Sequence, residues 1–498
     1  MKKHSSNRFC LNLLGLKISK ARPLTNLVMA LSSYQGAQSV VELSLSGLYH
    51  YHYSGISSSI RSLCRDNSHR LAVKAEIQRL VSPFVKRISE ERFVLHSDVT
   101  TALKRYSSTL PDRTYVAIPN TVISGNKPLD VGYELSYVNV CMPQRGWSLP
   151  LSVERVALDQ TPADCLITQL KALLSHPELA LGDRLVINTL DSAYGSPAYL
   201  SRSFELENVV DVVRLRQGRN VWSSFEPRKQ SKPQKKKSRP RVYGEEYCLI
   251  SESCMKTYKK HPKTGLPYQK HHTSIFEKQA DEKITLKSKT AKERPIKIEL
   301  WRWNEVLLRT KRGYKMSDKP IDVLACRITD RDTGKRVFDL DMFLAICGKN
   351  KDQITTQEAY EAYRTRPDIE GYFRFAKQKL LLNKYQTPNI NHFDNWIICQ
   401  ILASWLLYAA KDEVSFVPHK WEKYLPKHKQ KINKENLSIT QVHRAAQKLF
   451  LTFEQTPFLP LKSNKGRPRT KGEKQTPRNR YPVAKKTAKW NNQHTGHT

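Results

Sequence analysis

Apolar residues recur at three- and four-residue intervals near the start of the chain and predict helices over residues 24–31, 40–49 and 71–80. From about residue 91 the texture changes to short β runs. Residues 92–98 (RFVLHSD), 113–118 and 132–142 (GYELSYVNVCM) predict three strands, the last with partial alternation. Asn120, Gly125, Asn126 and Pro128 mark the turn between the second and third. Residues 161–174 (TPADCLITQLKALL) form an amphipathic helical pattern with small or polar residues at its start. Residues 184–190 (RLVINTL) are almost continuously apolar, as expected of a central strand covered on both faces, and the run stops at Asp191. Gly195 then supplies a turn, Pro197 a helix start, and residues 209–215 a fifth strand.

Three strands, a helix, a strand, a helix and a strand is the order of a ribonuclease H-like core, an α/β fold in which a mixed five-stranded sheet carries helices on its faces. The pattern breaks near residue 219 with the lysine-rich run PRKQSKPQKKKSRPR, which cannot bury itself and must be solvated or pressed on an anion. Strand-like segments follow at 247–251, 296–303, 323–329 and 336–340. Thr355 and Glu358 have the spacing of a capping box that opens a short helix. Pro367 suits the first position of the next helix and disfavours α geometry at Arg366. The expected organisation is therefore an N-terminal helical region (1–90) that docks on DNA or caps the neighbouring core, and a core in two parts (91–218 and 351–415). A β-rich basic insertion (219–350) divides the core, and a C-terminal helical region (416–462) and a basic, disordered tail (463–498) follow it.

Charge narrows the partners. Lys and Arg outnumber Asp and Glu by 84 to 46, a net charge of +38 over 498 residues, which points to a polyanion and most simply to nucleic acid. A basic ribosome-associated or membrane-surface protein is the plainer competitor. The N-terminal apolar run is broken and lacks a small-residue cleavage site, so no secretory signal is expected. The longest apolar run, 396–410, is short for a membrane span and carries Gln400 and Ser404, so it reads as a buried helix. Nine cysteines without paired spacing favour a reducing cytosol.

Three carboxylates stand out by position: Asp98 ends the first strand, Asp191 ends the central one, and Glu370 lies in the first turn of the helix begun by Pro367. Ligand sites in open α/β sheets form outside the carboxyl ends of strands. Clustered acids repel one another unless cations join them, and hard divalent ions such as Mg²⁺ suit carboxylate oxygens. Alone, Asp98 reads equally as a turn acid, and Glu370 as a solvated helix acid with Glu358 and Glu361 as alternatives. Asp191 is harder to dismiss, because a carboxylate closing a buried strand is costly unless it is paired or metal-bound.

Around Glu370 the chain reads Tyr363, two residues, Arg366, three residues, Glu370, six residues, Lys377. This spacing resembles the Y-(2)-R-(3)-E-(6)-K pattern of bacterial insertion-sequence transposases with a DDE site. The text around Asp98 (SDVTTALKRYSSTLPDRTYVAIPN) and Asp191 (NTLDSAYGSP) is similar to their first two catalytic blocks. The resemblance, over about residues 90–410, implies a ribonuclease H-like core interrupted by a β-strand insertion. It implies Asp98, Asp191 and Glu370 as catalytic metal ligands for Mg²⁺, with Mn²⁺ able to substitute and two ions expected. It places Tyr363, Arg366 and Lys377 at DNA-contacting positions. The implied activity is an endonuclease and strand-transferase that cuts and joins double-stranded DNA at terminal inverted repeats, as a homodimer in the synaptic complex. The implied location is the prokaryotic cytoplasm, at the nucleoid and away from membranes.

Other readings stay open. A structure-specific ribonuclease H-like nuclease would cut without joining, and a non-enzymatic DNA-binding descendant of a transposase would only bind. Cys248, Cys254, His261, His271 and His272 fit no standard zinc spacing and read as unliganded. KGRPR at 465–469 resembles an AT-hook core or a merely basic tail. Trp301 and Trp303 could stack on an unpaired base or pack in a core.

Overall fold

The computed structural model describes residues 5–16, 20–64, 66–88, 92–118, 128–225, 242–259, 265–290, 293–310, 316–419, 421–424, 436–453, 470, 472, 474 and 477–486. The lysine-rich run at 227–241, KGRPR at 465–469, His261, Asn120, Gly125 and Asn126 lie outside them. The helices α1 (Ser5–Leu14), α2 (Ala21–Leu31), α3 (Tyr53–Leu63) and α4 (Asn67–Val85) come first. Strands β1 (Arg92–Leu103), β2 (Thr114–Ala117), β3 (Leu129–Cys141) and β4 (Ser148–Arg155) precede helix α5 (Pro162–Leu174). Then come β5 (Leu185–Leu190), α6 (Pro197–Ser203), β6 (Val209–Leu215), β7 (Asn220–Ser224), β8 (Tyr243–Cys248), β9 (Cys254–Tyr258) and β10 (Tyr268–His272). Strands β11 (Glu282–Lys289), β12 (Pro295–Val306), β13 (Ile321–Asp330) and β14 (Met342–Cys347) follow. Helices α7 (Thr356–Thr365), α8 (Pro367–Gln378), α9 (Ile390–Ala410) and α10 (Ile439–Leu451) come last.

The chain divides into two units. One comprises Met1–Glu90, Asp98–Leu181 and Pro367–Thr498; the other comprises Glu91–Ser97 and Gly182–Arg366.

In the first unit α9 is the hub. It is apolar all round and buried over most of its length, as a helix enclosed by neighbours must be. It packs against α1, α2, α3, α10 and β4. Several of its polar atoms are bonded internally: Asn395 Nδ2 donates to the carbonyls of Ile60 and Cys64, and Trp405 Nε1 donates to Pro150 O over 2.8 Å. Behind α8, the Tyr372 hydroxyl lies 3.1 Å from Ser404 Oγ. No helix among the described residues is long and apolar enough to cross a membrane. The antiparallel pairs β2–β3 and β3–β4 form this unit's sheet, and α5 packs on β3 and β4. Strand β4 was not expected from the sequence; Pro150 interrupts its pattern and sits where the β3–β4 register shifts. Residues 477–486, within the tail expected to be disordered, lie along β2, with Tyr481 N donating to Ser108 O and Ala484 N to Arg113 O.

The second unit is built on three adjacent parallel strands: residues 92–97 of β1, then β5, then β6. The sheet is wider than five strands, because β14 runs antiparallel on the free edge of β6 and β13, β12 and β11 follow in turn. Helix α7 covers one face through Ala359, Tyr360, Ala362 and Tyr363, which pack against Ile187, Val210, Ile298, Leu324 and Leu344. The strand expected at 336–340 is instead an exposed loop with a single bridge, Thr329 to Arg336. Its alternating pattern fails because no neighbouring layer covers its apolar residues. Likewise the helix expected over 40–49 is reduced to a short 3-10 helix, Val41–Leu45, in a serine-rich stretch that bonds its own backbone.

Candidate active site

The parallel register of β1 on β5 runs from Arg92↔Leu185 to Ser97↔Leu190. Asp98 and Asp191 are the next residues after that last pair. Asp191 closes its strand and stands before a short turn, Ser192–Tyr194. Asp98 does not end β1, contrary to expectation, since the strand continues to Leu103 with β3 as its neighbour. What ends at Ser97 is the pairing with β5. Both aspartates are half-buried, and one Asp98 carboxylate oxygen accepts the Val99 N–H over 2.8 Å.

Ahead of the two acids, the strands turn polar while remaining buried. His96, Ser97, Asn188, Thr189 and Asp211 are all essentially inaccessible to solvent. Buried polar groups are costly unless hydrogen-bonded, and here bonds link the three strands, although Asp211 Oδ2 is left without a hydrogen bond among the described residues. Ser97 Oγ donates to Asn188 Oδ1 over 2.7 Å, and Asn188 Nδ2 donates to Asp211 Oδ1 over 2.7 Å. One carboxamide thus ties β1 to β6 across β5. Burial pushes the Asp211 carboxyl up to about 6, against hydrogen bonds from Ser203, Asn188 and Tyr199 that favour its charged form.

Thr355 caps α7 as expected, with Glu358 reciprocating in the capping box. Glu358 is also bonded to Arg92 Nε over 2.9 Å, and its carboxyl lies below the usual range: burial opposes, but the bonds from Thr355 and Arg92 outweigh it. That places Glu358 in a capping and pairing role, and Glu361 accepts from Gln357 Nε2 on the exposed face. Glu370 is exposed, in the first turn of α8 beside Asp368. The helix N-terminus favours negative charge at that place. Asp368 accepts the Gly146 N–H over 3.1 Å, and burial raises its pKa.

Tyr363 and Arg366 are nearly buried, at 7% and 8% exposure, and Lys377 is half-buried. The ring of Tyr363 belongs to the core beneath the sheet, while its hydroxyl end senses Arg366, Arg214 and Asp191. Burial raises the Tyr363 pKa, and burial lowers that of Lys377. Arg366 keeps α geometry (φ −51°, ψ −38°) although proline follows it, so α7 and α8 are separated by this one residue. The local preference of a pre-proline residue is overridden here. Arg214, which was not anticipated, is exposed near the end of β6 and within hydrogen-bonding reach of Tyr363. The signal was weak: Arg214 stands one residue before the end of a strand that also carries Asp211.

Among the described residues, no group of three or more His, Cys, Asp or Glu side chains is placed to hold a metal. His272 bonds the Tyr258 hydroxyl over 2.7 Å, and Cys248 is buried. Trp303 is a core residue, its indole N–H donating to Lys278 O. Trp301 packs edge-on against Phe276 with Arg327 and Lys283 over its ring.

A family model described as DDE superfamily endonuclease matches residues 14–275. That is just over half of the chain; it takes in Asp98 and Asp191 and ends before Glu370. No curated protein matches the chain.

Proposed function

The chain belongs to the DDE superfamily of endonucleases, and from that premise we propose that it is a DNA transposase of the insertion-sequence type, with Asp98, Asp191 and Glu370 as its catalytic acids. The observation that carries the reading is the register of β1 on β5. In the sequence, Asp98 and Asp191 each directly follow the last paired residue of β1 and β5, although β1 itself runs on beyond Asp98. Glu370 supplies the third carboxylate from an exposed helix turn.

The donors suit a hard divalent cation: all three are carboxylates, and each is at least partly open to water. We assign Mg²⁺, as two ions with Mn²⁺ able to replace them. When bound, the metal supplies activation of a water or 3′-hydroxyl and stabilisation of the leaving oxygen in an in-line phosphodiester displacement. The chain's own residues do the rest. The carboxylates orient the reacting groups, and Arg366, Lys377 and the hydroxyl of Tyr363 hold the DNA backbone, where contacts position but do not read sequence. The net charge of +38 supplies the sequence-independent attraction. Function at terminal inverted repeats, in a homodimeric synaptic complex at the nucleoid, completes the reading.

The test is Mg²⁺-dependent cleavage and joining of DNA taken from the two flanks of the reading frame, where this reading expects terminal inverted repeats. Cleavage without joining, and without need of those ends, would favour a structure-specific nuclease; binding without cleavage would favour a DNA-binding descendant.

A further inference from the structure

Strands β9 and β10, both within the second unit, form a two-stranded sheet separate from the large one. Their antiparallel register sets Met255 opposite His271, Lys256 opposite Lys270, Thr257 opposite Gln269 and Tyr258 opposite Tyr268. Alternation divides these pairs between two faces. One face is braced from within. The Tyr258 and Tyr268 rings stack with centroids 5.0 Å apart, the Tyr258 hydroxyl meets His272, and Lys270 Nζ donates to Glu246 on β8 over 2.7 Å. A two-stranded ribbon alone is marginal in water, and this aromatic layer stiffens it.

The other face is open: Met255, Thr257, Gln269 and His271 are all exposed. Its composition differs from that of a plainly solvated strand. The exposed positions of β11 are Lys283, Thr285, Lys287 and Lys289, mostly charged. The open ribbon face instead carries side chains that hydrogen-bond or pack, without a fixed charge. Charge lies around it: Lys256 is exposed on the other side of β9, Lys259 is exposed just past its end, and residues 254–272 hold five lysines and no acid. An uncharged, hydrogen-bonding strip among cations complements duplex DNA at its major groove, where base edges lie between two lines of phosphates. That groove, about 12 Å wide, admits a two-stranded ribbon. The two outward pairs stand two residues apart along the strands, about 7 Å, or about two base steps.

We propose that the open face of β9 and β10 is a base-reading surface, which lies in the major groove of the DNA and reads an A·T pair. The Gln269 carboxamide bonds adenine N6 and N7, and the Thr257 methyl packs on the thymine methyl. Lys259 contacts phosphate and adds affinity without sequence preference. The proposal rests on the reading of the chain as a DNA-cutting enzyme, and it gives that enzyme a means of telling one duplex from another.

The test is selection of bound duplexes from a randomised DNA library by the full chain in EDTA, with salt titrations on the selected sequence. The parent should select a site with a fixed A·T pair. Gln269→Ala should lower the preference for that pair by about fivefold or more, at an unchanged salt slope. Thr257→Ser lacks the methyl and should weaken the same preference, as should deoxyuridine in place of that thymine when the parent binds. Lys259→Ala should weaken binding to every sequence equally and reduce the salt slope by about 1. All three positions are exposed, so the variants fold. Parental preference in Gln269→Ala overturns the proposal and leaves DNA binding standing, as does a parent that binds all duplexes alike. Variants that change the protein's mass in solution while keeping the preference overturn it too, and make this face a contact between copies. If the parent binds no duplex at all, the DNA reading fails and this proposal with it.

Discussion

Asn188 Nδ2 donates to Asp211 Oδ1 over 2.7 Å in the middle of a parallel sheet, three residues before Asp191. The acceptor is a carboxylate without solvent access, and burial raises its pKa to about 6 from the ordinary carboxylate value of 3.8. A carboxyl raised on folding binds its proton more tightly in the native state. Native stability is therefore favoured below the unfolded pKa and falls as pH rises from about 4 through about 6, then levels off. The difference corresponds to about 3 kcal/mol. Asp211→Asn keeps the acceptor for Asn188 and removes the titration. Denaturant unfolding from pH 4 to pH 8 should show the parent losing stability relative to the variant, with the change confined to that window. Parallel curves would place the charge elsewhere.

The three acids have a sharper expectation. Asp98→Asn, Asp191→Asn and Glu370→Gln each remove one charged oxygen donor at nearly constant shape. If the metal supplies several kcal/mol of transition-state stabilisation, each variant should lose at least about 10³-fold in cleavage rate. Binding of the same DNA, measured in EDTA, should change by no more than about twofold. Full cleavage by any variant removes that residue from the site. Because Glu370 lies beyond the family match, its variant is the most informative of the three.

The register that supports this site was only partly legible in the sequence. The apolar run of β5, the capping box of α7 and the apolar run of α9 predicted their elements, because each is imposed by burial or by a local hydrogen bond. The polar residues ahead of the acids were not legible. His96, Ser97 and Asn188 look like the end of a strand, where chains usually turn, and only their partners on α7, β5 and β6 show that they are interior. The same ambiguity made Asp98 look terminal. Single-chain patterning reports whether a residue is polar; it does not report whether a neighbouring element has brought it a partner.

A third prediction concerns how α7 is held at its start. Asp322 has no solvent exposure and accepts Arg302 Nε over 3.0 Å and Lys351 Nζ over 2.8 Å. Arg302 also donates to the carbonyls of Lys351 and Ile354, directly before the Thr355 cap. Burial pulls the Lys351 ammonium down, but Asp322 and Glu305 outweigh it and leave its pKa above the ordinary value. Asp322→Ala removes the buried carboxylate shared by Arg302 and Lys351, leaving Lys351 the more exposed Glu305 and Asp352, and should cost about 3–5 kcal/mol. Replacing all three by apolar residues of similar volume should cost far less, since the charges no longer need solvating. Equal losses in both variants would show that packing, not pairing, sets the stability here.

The C-terminal tail should separate into two functions when it is shortened stepwise. Arg113 is 4% exposed, and its guanidinium donates to Leu110 O, Lys104 O and, through Nη2, to Tyr481 O over 2.8 Å. Tyr481 N and Ala484 N donate in turn to Ser108 and Arg113. A chain ending at Lys486 keeps these bonds and should melt like the full protein. A chain ending at Thr476 leaves the Arg113 guanidinium short of one partner and uncovers part of the β2 edge. It should lose about 1–3 kcal/mol, read as a lower denaturation midpoint. DNA binding should follow charge instead of fold. Removing all residues after Lys462 takes away most of a basic segment, so affinity should fall and its dependence on salt should flatten by about 0.9 for each phosphate no longer neutralised. If the chain ending at Lys462 keeps the full salt slope, the tail neutralises no phosphates, and its described segment serves only to close the edge of β2.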